Sequence, residues 1–148
     1  MGKGSPRRNE NLNPQHGKVP KIAHNPTGFD HKNFVWRISD VYMDYDHDTF
    51  GWCNCTSLNL LKHIIKELQT YEGLIWSTVK TYSHCHSWDI DRVPKHFQDR
   101  LIQRGLHVDE LFQISIGSLC RIWGFRQMEI FYPIWYDPNH DGYKVKVK

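Results

Sequence analysis

LFQISIGSLCRIWGFRQMEIFYPIWY, residues 111–136, is the stretch on which the fold turns. Phe112, Ile114 and Ile116 alternate with Gln113 and Ser115, the two-residue period of a strand with one buried face. Gly117-Ser118 marks a turn, residues 119–126 read as a second strand, 127–129 as a tight connection, and 130–136 as a third strand broken in pattern by Pro133. Downstream, Asp137-Pro138-Asn139-His140-Asp141-Gly142 is a strong turn sequence. Residues 143–147 are predicted to return as a fourth, edge-like strand, blunted against aggregation by lysines at 144, 146 and 148.

Upstream the period changes. Leu58, Leu61, Ile64, Ile65 and Leu68 recur at helical spacing behind Thr56 or Ser57 as N-cap, with Lys62, His63, Lys66 and Glu67 opposite. Gly73 punctuates, and Leu74, Ile75, Trp76 and Val79 predict a second, shorter helix. A third fits residues 94–104: Pro94 suits a first turn, Phe97 and Leu101 stand one turn apart, and Gly105 follows as C′. Phe34-Val35-Trp36-Arg37-Ile38 reads as a short strand or an extended segment, and Asp44-Tyr45-Asp46-His47-Asp48 as a solvated loop. Helices first and a consecutive meander last predict an α+β fold, with two to three N-terminal helices packed on one face of a C-terminal three- to four-stranded antiparallel sheet.

A chain of 148 residues has room for one such domain. The content that can fold begins near Asn33. Residues 1–32 hold four of the seven prolines and almost no large apolar side chains, and are predicted to form a basic arm without regular structure, followed by a single α+β domain over 33–148. Lys3, Arg7, Arg8, Lys18, Lys21 and Lys32 against Glu10 and Asp30 give the arm most of the basic character, which suits attraction to nucleic acid or to an acidic partner. No apolar run is long enough to span a membrane and none follows the first basic residues, so a cytoplasmic protein without membrane partners is expected. In a reducing compartment Cys53, Cys55, Cys85 and Cys120 are expected as free thiols. Cys53-Asn54-Cys55 and His84-Cys85-His86 have one intervening residue, too few for the usual structural zinc pair, so neither a metal nor a cofactor is expected.

Chemistry concentrates in Arg121-Ile122-Trp123-Gly124-Phe125-Arg126 and Trp135-Tyr136-Asp137-Pro138-Asn139-His140. On a strand Arg121, Trp123 and Phe125 share one face and Arg126 the other. Arginine offers paired donors to phosphate oxygens, aromatic rings stack on unpaired bases, and imidazole moves protons near neutral pH. Aromatic residues such as Trp123, Phe125, Trp135 and Tyr132 are more often core than stacking platforms, and Arg121 also reads as an ion-pair partner of Asp137 or Glu129. His84 and His86, inside Tyr82-Ser83-His84-Cys85-His86-Ser87-Trp88, form a second candidate pair in a polar connection between helices.

These two motifs resemble a family of small bacterial and mobile-element proteins whose carboxyl end reads R-I-W-G-(I/F)-R and then W-(W/Y)-D-P-x-H. The layout of helices before a small sheet is also similar to that of RelE-type messenger-RNA endonuclease toxins. That second resemblance implies a metal-independent endoribonuclease, partnered by RNA, ribosome-bound or not, and by a cognate antitoxin. Arg121 and Arg126 would then stabilise the charge on the reacting phosphate, His140 or Tyr143 would transfer the proton, and Trp123, Trp135, Lys144, His84 and His86 would hold the substrate. The competing expectation is a non-catalytic interaction module, antitoxin-like or inhibitory, that uses an aromatic-rich surface.

Overall fold

The computed structural model describes residues 27–139. Its strands are β1 (Val35–Trp36), β2 (Cys85–Asp89), β3 (Glu110–Ile116), β4 (Cys120–Gln127) and β5 (Ile130–Asp137), and its helices are α1 (Leu58–Glu72), α2 (Trp76–Val79) and α3 (Lys95–Gln103). The α+β class is as expected, but the sheet is larger and mixed. Five strands run in the order β1-β5-β4-β3-β2, all antiparallel except the β1–β5 pair at the edge. The meander predicted over residues 111–136 is there. Two strands extend that meander: β1 forms within the stretch 34–38 read as strand or extended and pairs with β5, and β2 replaces the polar connection around His84 and His86.

α1 starts where Ser57 caps it, its hydroxyl accepting from the Leu60 amide at 3.3 Å. α3 ends at Gly105, whose φ of +74° is the left-handed geometry of a helix C′. The backbone amides of Gly105 and Leu106 turn back to the carbonyls of Ile102 and Leu101. Helices cover both sheet faces, not one. Under α1 and α2, Ile64, Leu68, Tyr71, Trp76 and Val79 pack on Phe112, Ile114, Ile122 and Phe131. On the other face, Phe97 and Leu101 of α3 pack with Phe50, Trp123, Phe125, Ile134 and Trp135. A local period places a side chain on a helix face; it does not say which side of a distant sheet that face meets.

A β-bulge between Trp123 and Gly124 of β4 and its partner strand shapes the centre of the sheet. Trp123 pairs with Trp135 and Gly124 with Pro133, so Ile134 is the extra residue. Ile134 and Trp135 both join the second core, whereas Phe131 and Tyr136, five residues apart, share the first. Pro133 is tolerated at this irregularity. Opposite it, a Cβ on Gly124 would lie 2.2 Å from the Tyr132 carbonyl oxygen, which explains a glycine inside a central strand. The bulged Ile134 carbonyl accepts the Asp44 amide at 2.9 Å and the Trp52 indole N–H at 3.0 Å, docking the irregular segment 44–52 on the sheet.

Structure also begins earlier than Asn33. Thr27–Phe29 form a 3-10 turn, and the carboxylate of Asp30 accepts from Arg126 at 2.8 Å and from Lys80 at 3.0 Å. The predicted strand over 143–147 lies outside the described residues. Among the described residues, no helix is long and apolar enough to cross a membrane.

Candidate functional site

Antiparallel pairing carries Arg121 into a polar row across the second sheet face. Ser115 pairs with Arg121, and Arg121 with Asp137. On the far side, the Ser115 amide donates to the His84 carbonyl at 2.8 Å, and the β2–β3 register continues with His86 against Gln113. The row therefore reads His84, Ser115, Arg121, Asp137, with His86 and Gln113 in the next one. Beyond these, Trp123 and Trp135 pass under α3. One half of the face is sealed by aromatic rings. The other half leaves His84 and His86 exposed, with Ser115 and Arg121 half-buried.

Asp137 is the fixed point of the row. It is fully buried and accepts the Trp123 indole N–H at 3.2 Å. Arg121 donates through Nη1 to the carbonyls of Cys120 at 3.0 Å and Ser118 at 3.3 Å, which sets the base of its guanidinium. Burial lowers the Arg121 pKa, partly offset by the charge of Asp137. On the edge strand, the Trp88 indole N–H donates to Gln113 Oε1 at 3.0 Å, and the Arg92 guanidinium lies 5.5 Å from the Trp88 ring centroid. Trp88, Ser115 and Asp137 belong to the site and were not assigned to it from the sequence. Their signal was parity with Arg121 across strands, which requires the register.

Several expected site residues do other work. Arg126 projects to the opposite face from Arg121, is 8% exposed, donates to Asp30, and lies 4.0 Å from the Trp76 ring centroid. Its cation is held between a carboxylate and an indole, away from any phosphate. Trp123 and Trp135 are both fully buried and offer no ring to a base. They are core: Phe97 meets Trp123 edge-on with centroids 5.1 Å apart and Trp135 at 4.7 Å. Of the other aromatic residues, Tyr45 and Tyr82 are exposed and Trp36, Trp52 and Trp88 half-buried. His140, Tyr143 and Lys144 lie outside the described residues.

A second polar cluster staples segment 40–54 to α3. Asp44, expected in a solvated loop, is 2% exposed. It accepts from Arg100 Nε at 2.7 Å and Nη2 at 2.8 Å, and from the Trp135 indole N–H at 2.9 Å. Burial would raise its pKa, but these donors dominate and hold it down at about 2. Arg104 donates to the carbonyls of Tyr42 and Met43. Every strong donor of this cluster faces inward, so it serves cohesion.

Comparison with protein-family models, curated proteins and solved structures finds no match. The site therefore stands on its own geometry. Among the described residues no group of three or more His, Cys, Asp or Glu is gathered to hold a metal ion. The four cysteines are free; Cys53 is exposed, its thiol directed to the His47 carbonyl at 3.4 Å, and Cys85 and Cys120 are buried. Burial pushes the Cys85 thiol up to about 11 and the Cys120 thiol up to about 12, so both stay protonated and unreactive at neutral pH.

Proposed function

We propose that the open half of the second sheet face cleaves RNA, as a metal-independent endoribonuclease of the RelE-like toxin type. The observation that carries this reading is the cross-strand row that sets Arg121 between Ser115 and Asp137, with His86 on the edge strand β2 and His84 in the turn just ahead of it. Arg121 supplies charge to the phosphate, and its own base is anchored by two carbonyls. One imidazole of the edge strand removes the proton from the ribose 2′-hydroxyl, the 2′-oxygen forms a bond to phosphorus, the bond to the 5′-oxygen breaks, and a second acid protonates that oxygen. The nucleophile belongs to the substrate. Relative to the sequence reading, Arg126, Trp123 and Trp135 drop out of the proposed site, and RNA and a cognate antitoxin remain its proposed partners.

The test is induced expression in a bacterial host with growth and messenger-RNA integrity followed, comparing wild type with Arg121→Ala, His84→Ala and His86→Ala. Loss of one charge-stabilising donor is commonly worth about 10²–10³ in rate, so Arg121→Ala should abolish transcript cleavage while its melting curve stays cooperative. Intact transcripts and normal growth in the presence of soluble wild-type protein, with translating ribosomes, would refute the reading.

A further inference from the structure

α1 carries more apolar side chains than the core takes in. Ile64, Leu68 and Tyr71 are buried, whereas Leu58 is 70% exposed and Leu61 and Ile65 are each 38% exposed. Positions 58, 61 and 65 are i, i+3 and i+7, so these three form one stripe on the outer side of the helix. Beside it Asn59, Lys62, His63, Lys66 and Gln69 line a shallow depression around Ile65, with no carboxylate among them. This inverts the charge of the surrounding body, since residues 27–139 hold 11 Lys and Arg against 14 Asp and Glu. A single exposed leucine is ordinary; a stripe of three flanked by two lysines on an otherwise acidic body is a surface with a preference.

We propose that the outer face of α1 docks an acidic amphipathic helix from a partner protein. Such a helix would lay its apolar residues on Leu58, Leu61 and Ile65 and its carboxylates beside Lys62 and Lys66, the helix-on-groove mode of recognition. Nucleic acid would engage the lysines but leave the stripe in water. A bilayer would find only one narrow edge of a helix whose other face is locked into the core, with two lysines contributing about 1 kcal/mol each. The docking face is on the opposite side of the sheet from the polar row, so this inference stands whether or not that row cleaves RNA.

The probe is a displayed library of amphipathic helices of about 18 residues, with a constant apolar stripe and flanks randomised among Glu, Gln and Lys, selected on the full chain. Acid-flanked members should be enriched. A selected peptide should lose at least about tenfold in affinity, or 1.4 kcal/mol, on Leu61→Glu/Ile65→Glu and on Lys62→Glu/Lys66→Glu, and should weaken with added salt. These positions are exposed, so the variants should melt as wild type does; Leu61→Ala/Ile65→Ala makes the same comparison if the Glu pair does not fold. Enrichment of Lys-flanked helices, no enrichment, or binding to either double variant as tight as to wild type would overturn the proposal. So would single-stranded RNA or anionic vesicles whose binding depends on Lys62 and Lys66 while the peptide's does not.

Discussion

Over the first sheet face, α1 and α2 lay down Ile64, Leu68, Tyr71, Trp76 and Val79 as an ordinary helical surface; over the second, among the described residues, the cover is the nine-residue α3 with the irregular segment 40–54 and the connections that flank α3. An irregular segment has no period with which to bury itself, and its backbone amides and carbonyls need partners. The second face solves this with charge. Asp44, buried and held by Arg100 and Trp135, and Arg104, spread over loop carbonyls, replace the packing a longer helix would provide. The first face has an ion pair too, Arg126 with Asp30, but it sits at the margin of a core that is already closed. Ionic interactions count for more where the secondary structure is thinner.

That contrast can be broken most directly at Asp44. Asp44→Ala leaves Arg100 and the Trp135 indole N–H without their shared acceptor, and removing one partner of a buried pair costs about 3–5 kcal/mol. Denaturant unfolding should show this loss; a change below about 1 kcal/mol would mean that the aromatic packing alone closes the face. A pH titration sharpens the same point. The Asp44 carboxyl sits at about 2 against an ordinary 3.8, so folding favours the ionised form. The resulting stability, about 2 kcal/mol, is complete above pH 4 and is lost as the pH falls from there through 2. Asp44→Asn should flatten that acid limb, and an unchanged limb would place the acid sensitivity elsewhere.

On the first face, Arg126→Ala removes charge-assisted hydrogen bonds and the contact with Trp76, for about 2 kcal/mol. Arg121→Ala, which gives up two carbonyl contacts and the attraction to Asp137 at a half-buried position, should cost less, about 1 kcal/mol. Thermal melts of the two variants side by side test whether the arginines have divided into a structural and an available one; equal losses would count against that division. An effect of similar size is expected from Ser57→Ala, about 1 kcal/mol for one N-cap, measured by denaturant midpoint. A larger loss would show that α1 depends on its cap more than on the surface it buries.

The parts legible in the sequence were those with a local cause. The meander follows from alternation between residues 111 and 136, α1 from its spacing and Ser57, and the end of α3 from Gly105. Parity alone already separated Arg121 from Arg126. What stayed hidden has causes that are distant in the chain: Asp30 reaches Arg126 across 96 residues, and Asp44 reaches Trp135 across 91. β2 stayed hidden because Cys-His-Ser-Trp-Asp offers no apolar alternation and is held by its partner strand. With β2 went the placement of His84 against Ser115 and of His86 against Gln113, one strand removed from Arg121. The dual reading of Trp123 and Trp135 was resolved only by seeing what covers them.

The single extra residue in β5 works as a phase shifter. Before it, odd-numbered residues such as Phe131 face α1; after it, even-numbered ones such as Tyr136 do. Asp137 owes its place opposite Arg121 on the second face to that half-period slip. Deletion of Ile134 would leave Gly124–Pro133 and Trp123–Trp135 as consecutive pairs, so Trp135, Tyr136 and Asp137 would keep their faces, and what the strand would lose is the carbonyl that anchors Asp44 and Trp52. An extra residue placed in the regular part of the strand would instead turn over every side chain beyond it.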